Sequence, residues 1–214
     1  MIKFIFILIS YLIGTIPFGI IFGKLSHGED LRKSGSGNIG ATNAYRTYGK
    51  LYGFLTFFFD FLKGFISVLA ARILIYNGVE MLPVFLYGFA AILGHCINVF
   101  LKFKGGKGAS SSLGALTAFD YRIGLICLVI AIILIILTKI VSLTTMLTCL
   151  IALSLMPIFS LLIDKINLNE FLFNYIPAIF TVLLVFFRHS DNIKRLIEKK
   201  ENKIYLFKKK NEVE

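Results

Sequence analysis

Charge is scarce in this chain. Only 16% of its 214 residues are charged, and the 12 acidic residues are outnumbered by 23 lysines and arginines. Three cysteines, Cys96, Cys127 and Cys149, sit in or beside apolar segments without close pairing, so they read as small buried hydrophobes and not as a disulfide or metal set. No His, Cys, Asp or Glu cluster has metal-ligand spacing, so no metal and no other cofactor is expected. A G-x-S-x-G elbow and a Ser/His/Asp set are also missing, which argues against a nucleophile supplied by the protein. There is no internal repeat, no low-complexity segment, and no cleavage site after the first apolar run, which is therefore expected to be retained.

What is present is hydrophobic surface. Apolar residues make up 57% of the chain and the mean hydropathy is +0.82. Apolar segments fall near 2–23, 51–76, 83–101, 108–119, 122–138, 140–163 and 171–187. A helix needs about 20 such residues to cross a hydrocarbon core of roughly 30 Å, and in lipid the backbone must be satisfied within each segment. The expected fold is an all-α polytopic membrane bundle of about seven helices, one domain over 1–214. The segment 108–119 is short and spans only if its helix starts at the glycines before it.

The basic residues set the orientation. With seven spans and the N-terminus outside, eighteen Lys and Arg residues fall in the inner loops and the C-terminal tail. Only Lys3, Arg122 and Lys165 fall outside. Merging 108–138 into one span leaves nine inside and eleven outside. The positive-inside rule therefore favours an odd count, seven or five, with the C-terminus cytoplasmic. The same loops account for the net charge of +11, so no nucleic-acid partner is implied. Residues 194–214 mix both signs and read as a surface helix fraying into a disordered charged end at 205–214.

Three polar patches interrupt the apolar runs, all on the cytoplasmic side. The first is Ser34-Gly35-Ser36-Gly37-Asn38-Ile39-Gly40-Ala41-Thr42-Asn43. Its G-x-G-x-x-G spacing is no dinucleotide fingerprint, because a membrane helix and not a strand precedes it. Glycines still free backbone N–H groups for an anion, and Arg46 adds a planar cation suited to phosphate; an ordinary Gly/Asn-rich loop is the plainer alternative. The second patch, Lys104-Gly105-Gly106-Lys107-Gly108, opens a helix whose N-terminus favours anions. Lys102 and Lys104 also fit as positive-inside residues, whereas Lys107 lies between glycines. The third runs from Arg188 to Arg195. His189 and Asn192 share a helix face, while Arg188, Ile193 and Arg195 are read as pointing elsewhere. His189 is either a proton carrier or an orienting or capping donor. Within the second span, Asp60 and Lys63 at i and i+3 are expected to pair with each other or with patch residues, because a lone charge there costs roughly 2.5–3.5 kcal/mol.

The ordered motifs Ser36-Gly37-Asn38-x-Gly40-x-x-Asn43-x-x-Arg46, Asp60-x-x-Lys63-Gly64, Gly94-His95, Phe103-Lys104-Gly105-Gly106-Lys107-Gly108 and Arg188-His189-x-x-Asn192-Ile193-x-Arg195-Leu196 together resemble those of the bacterial acyl-phosphate:glycerol-3-phosphate acyltransferases, the PlsY type. The likeness covers nearly the whole chain. It implies transfer of an acyl group from acyl phosphate to the 1-hydroxyl of sn-glycerol 3-phosphate, without metal or other cofactor, at the cytoplasmic face of a bacterial inner membrane. An acyl-phosphate-forming enzyme and membrane lipid would be the partners. The resemblance points to Ser36, Arg46, His189 and Asn192 as catalytic. Gly37, Asn38, Asn43, Lys104, Gly105, Gly106, Lys107, Gly108 and Ser111 are pointed to as substrate-binding. The chain departs from the family's usual pattern at Ala109-Ser110-Ser111, at Asn98 in place of proline, and at Lys199 in place of the glycine before Glu201. The last change weakens the expected tail turn, and Asn98 predicts a softer kink. A small-anion or lipid transporter remains the rival class, although such proteins place their sites near the midplane and commonly carry repeats.

Overall fold

The computed structural model describes residues 1–205; residues 206–214, nearly all of the segment expected to be disordered, lie outside the described residues. Among the described residues every regular element is helical. Six helical segments are long and apolar enough to cross a membrane.

The first crossing is split into α1 (Ile2–Thr15) and α2 (Phe18–His27). Pro17 lacks an N–H and pushes Ile16 out of the helical region, to φ −63° and ψ 114°. A break inside a bilayer frees carbonyls that must find donors. Lys63 Nζ donates to Gly14 O at 3.2 Å and to Ile16 O at 2.8 Å. Asn98 Nδ2 donates to the carbonyl between them, Thr15 O, at 2.6 Å. The residues that looked anomalous in apolar sequence therefore cap a broken helix. Asn98 does more than soften a kink. The helix before it stops at Cys96, and Asn98 Oδ1 caps the short turn Val99–Leu101 through Phe100 N at 3.0 Å.

A short surface helix, α3 (Ala41–Tyr48), leads into α4 (Lys50–Tyr76), followed by α5 (Val84–Cys96) and α6 (Ala109–Phe119). As expected, α6 starts just after the glycine patch. Its 11 residues cover only about 16 Å. It packs on α4 backbone to backbone: a Cβ on Gly64 would meet Ser111 O at 2.0 Å, and one on Gly114 would meet Phe61 O at 2.0 Å. Small residues give such close approach in membranes. The long helices α7 (Tyr121–Thr138), α8 (Val141–Pro157) with its π-helical extension Ile158–Ile163, and α9 (Leu168–Arg188) complete the bundle, and α10 (Ser190–Ile197) lies after it.

Contacts at the turns fix which ends lie together. Lys3 pairs with Glu80, and the Tyr87 hydroxyl donates to Lys3 O at 3.2 Å. At the same end Arg122 bridges Asp120 and Asp164 at 2.7 and 2.5 Å, and Arg72 caps Phe119 O at 2.7 Å. At the other end Ile204 N donates to Lys139 O at 2.7 Å. Counting α6 with the six long segments, the described residues run the length of the bundle seven times, and the first and last described residues lie at opposite ends.

Candidate active site

All three polar patches meet at the end of the bundle that carries the C-terminal segment. The first patch is organised by Asn43, which is buried. Its Oδ1 accepts from Ser36 N at 2.8 Å, and its Nδ2 donates to Leu31 O, Ser34 O and Asn38 O at 3.2, 3.0 and 2.8 Å. Asn38 Oδ1 accepts from Gly40 N at 2.9 Å, which starts α3. The Asn43 amide is thus committed to shaping the loop, and Ser36, Thr42 and Arg46 are left lining the cavity.

The second patch is built on His95. Gly105 N and Gly106 N donate to Cys96 O and His95 O at 3.2 and 2.9 Å. A Cβ on Gly106 would lie 2.0 Å from His95 Nε2, so no larger residue fits there without displacing the histidine. The ring is itself held in the Lys63–Asp60 cluster, with Lys63 Nζ 3.1 Å from His95 Nδ1 and 2.7 Å from Asp60 Oδ1. Arg188 then caps the glycines, donating to Gly106 O at 3.0 Å and Gly105 O at 2.7 Å.

Lys107 is the patch residue that faces the third motif. Its Nζ donates to Asn192 Oδ1 at 2.5 Å, and Asn192 Nδ2 donates to Glu201 Oε1 at 2.6 Å. Glu201 also accepts from Arg195 Nε at 2.8 Å and from the Ser142 hydroxyl at 3.1 Å. The segment beyond it straps the first motif down: Arg46 donates to Asn202 O at 3.2 Å, and the Tyr45 hydroxyl to Tyr205 O at 2.9 Å.

His189 is buried beside this network. Its Nδ1 lies 2.8 Å from Val185 O, and a carbonyl only accepts, so the proton is assigned to Nδ1 and Nε2 carries the lone pair. Burial chiefly, aided by the positive charge of Lys107, pushes its pKa down to about 4. Burial, with Arg195 nearby, likewise lowers the pKa of Lys107.

These residues frame a cavity of about 350 Å³. Its mouth carries Arg46, Lys107 and Arg195 against Glu201, while the other lining carboxylate, Asp60, is paired with Lys63, a balance that suits an anion. Below the mouth it is lined by Leu113, Ile135, Ala152 and other apolar side chains. No cluster among the described residues could hold a metal ion.

Of the expected site residues, Ser36, Asn38, Asn43, Arg46, Lys107, Gly108, His189 and Asn192 line this cavity. Gly105 and Gly106 are buried behind its wall, whereas Gly37 and Lys104 are exposed and outside its lining. Ser111 turns the other way, its buried hydroxyl donating to Asp60 O at 2.8 Å, while Ser110 and Ser112 flank the cavity. Arg195, read as facing away, joins the site. It stands three residues after Asn192, as Asn192 does after His189, and that repeat was the available signal. Ser142 had none, because its partner is 59 residues distant.

The tail turn forms despite the missing glycine. Lys200 N donates to Arg195 O at 2.7 Å and Lys199 N to Leu196 O at 3.0 Å, the Schellman pattern, with Lys199 itself at φ +57°. A side chain there costs about 1 kcal/mol. Lys199→Gly is therefore expected to raise the thermal midpoint in detergent without altering turnover.

The profile of the family described as glycerol-3-phosphate acyltransferase matches residues 4–199. A glycerol-3-phosphate acyltransferase of Endomicrobium trichonymphae is 39% identical over 213 residues, spanning 98% of this chain and 100% of that one. One from Jannaschia sp. (strain CCS1) is 42% identical over 197 residues, 92% and 90% of the two chains. The crystal structure of PlsY (YgiH), an integral membrane glycerol 3-phosphate acyltransferase in its glycerol 3-phosphate form, superposes with a TM-score of 0.82 at 35% identity over 96% of both chains. Its lysophosphatidic acid form gives 0.79 at 33%, again over 96% of both. With the motifs, the helical bundle and the matched length in agreement, this chain belongs to the glycerol-3-phosphate acyltransferase family.

Proposed function

We propose that the protein transfers a fatty acyl group from acyl phosphate to the 1-hydroxyl of sn-glycerol 3-phosphate, releasing inorganic phosphate and 1-acyl-glycerol 3-phosphate. The observation that carries this reading is the continuity of a cationic mouth with an apolar channel inside the membrane. Glycerol 3-phosphate needs only the mouth, whereas a donor bearing both a phosphate and a long chain needs both. The excess of basic residues in the loops at this end supports a cytoplasmic mouth with the N-terminus outside, and a bacterial inner membrane is the location this reading implies. Membrane lipid surrounds the donor's path, and an acyl-phosphate-forming enzyme supplies it.

In the step itself the glycerol oxygen attacks the acyl carbonyl, the carbonyl–oxygen bond to phosphate breaks, and phosphate leaves. The donor is already activated, so the protein's task is to orient two anions and offset their charge. Arg46, Lys107 and Arg195 do this at the mouth, with Ser36 and the N–H groups at the start of α3 on the facing loop. Two acceptors compete for the hydroxyl proton. His189, at about 4, is a weaker base than a phosphate monoester, at roughly 6. The proton therefore passes to a substrate phosphate oxygen, and His189 Nε2 accepts instead from the neighbouring 2-hydroxyl, which positions the glycerol for attack.

This assignment has a pH signature. His189 is in its working neutral form above about pH 4 and loses it as the pH falls through that value. Any limb near pH 6 belongs to the phosphates, and it persists in His189→Asn at lower overall rate. A wild-type limb near 6 that vanishes in the variant would make the histidine the base. The reaction itself is tested with purified protein, palmitoyl phosphate and glycerol 3-phosphate. Phosphate release should require both substrates, fail with palmitoyl-CoA as donor, and collapse in His189→Ala. Silence from folded wild type would direct attention to anion flux in liposomes.

A further inference from the structure

The cavity continues far below its anion-binding mouth. It descends between α6, α7, α8 and α9 past Ile135, Thr148 and Ala152, and is also lined by Leu116, Phe85 and Met156. Phe85 belongs to the first turn of α5 and Met156 to the last turn of α8, so both stand at the end of the bundle remote from the site. Both are buried, at 3% and 1% exposure, in one apolar cluster with Leu116, Phe171 and Ala178. Phe85 is backed by Phe119, edge to face at 5.5 Å, and its N–H is tied to Asn174 Oδ1 at 3.1 Å. Beyond Met156 the helix changes to Pro157 and a π-helical turn. The floor is therefore backed by packed side chains and not by lipid.

The depth can be read along α8. Ser142 touches Glu201 at the mouth, and the 14-residue step from there to Met156 amounts to about 21 Å of helix. Carbon–carbon bonds of about 1.5 Å advance a zigzag chain roughly 1.25 Å each, so a 16-carbon acyl group reaches about 19 Å.

We propose that Met156 and Phe85 form a fixed floor that sets the longest acyl chain the enzyme accepts. This rests on the reading that the donor carries the chain into this cavity. A chain that reaches the floor fills it; a longer one must fold back or lift its phosphate out of register with Lys107. Ala152, one turn above Met156 on α8, is where a larger side chain would raise the floor.

The test is a comparison of kcat/KM for decanoyl, dodecanoyl, palmitoyl, stearoyl and arachidoyl phosphates with purified wild type, Met156→Ala and Ala152→Phe. Met156→Ala, which only opens space, is expected to raise the ratio of stearoyl or longer to palmitoyl turnover about 10-fold. Ala152→Phe is expected to lose palmitoyl turnover about 10-fold while keeping decanoyl turnover, which also reports that the site is assembled. If Ala152→Phe does not fold, the Met156→Ala ratio alone decides. Ratios unchanged from wild type overturn the floor and leave the donor reading intact. Absence of turnover by wild type at every chain length overturns the donor reading and the floor with it.

Discussion

Glu201→Ala is expected to lower kcat/KM roughly 100-fold, the scale of a 1 Å misplacement of reacting groups, although Glu201 need not touch substrate to produce that loss. Its carboxylate holds Asn192, Arg195 and Ser142 at 2.6, 2.8 and 3.1 Å, and Asn192 in turn holds Lys107. Without it two cations lose their orientation and the mouth gains positive charge. Ser142→Ala is the control. It removes one hydrogen bond to the carboxylate, worth about 1.5–3 kcal/mol, and leaves the other two. Steady-state kinetics of the two variants, with the thermal midpoint of each, separates an oriented network from general loosening. A Glu201→Ala enzyme within threefold of wild type would show that Asn192 and Arg195 hold their places unaided.

The second large effect is on stability. Lys63→Met removes the partner of a buried carboxylate and strips the donor from the Gly14 and Ile16 carbonyls at the break in the first crossing. Breaking a buried pair from one side costs about 3–5 kcal/mol, so the variant is expected to lose most of its folded yield in detergent. The double variant Asp60→Asn with Lys63→Met no longer strands a charge, and it is expected to recover part of that loss, leaving the carbonyls as the residual cost. Thermal unfolding of both variants measures the split. If the single variant unfolds no earlier than wild type, neither the pairing with Asp60 nor the bonds of Lys63 to the Gly14 and Ile16 carbonyls stabilises the fold.

Much of the architecture was legible because the membrane forces it: apolar runs of sufficient length become helices, and the sign of the loops orders them. The start of α6 at the glycines was readable for the same reason. The interruption at Pro17 inside a run read as one span was not, because its cost is offset by Lys63 and Asn98, far along the chain. Lys107, His189, Asn192 and Arg46, expected at the site from residue type and motif, line the cavity. Side-chain direction was less accessible. Ser110, Ser111 and Ser112 are chemically alike, and only packing of α6 on α4 decides that the middle one turns away. The tail turn was expected to weaken because Lys199 replaces a glycine, yet it forms with Lys199 left-handed, and the three hydrogen bonds of the Glu201 carboxylate outweigh about 1 kcal/mol of backbone strain.

The strap from Glu201 to Tyr205 has a consequence for biogenesis. The mouth needs pieces from near residues 40, 107 and 190, and the clasp that fixes them comes after all of the membrane helices. During synthesis a bundle with its first six passes inserted still lacks α9, whose Ala178, Thr181 and Val182 close one wall of the channel, and it has no oriented cations. Activity arrives in one step, when the strap emerges and crosses back over α3. Chains that stall before Glu201 are therefore expected to hold an unfinished mouth, with Asn192, Arg195 and Lys107 not yet fixed.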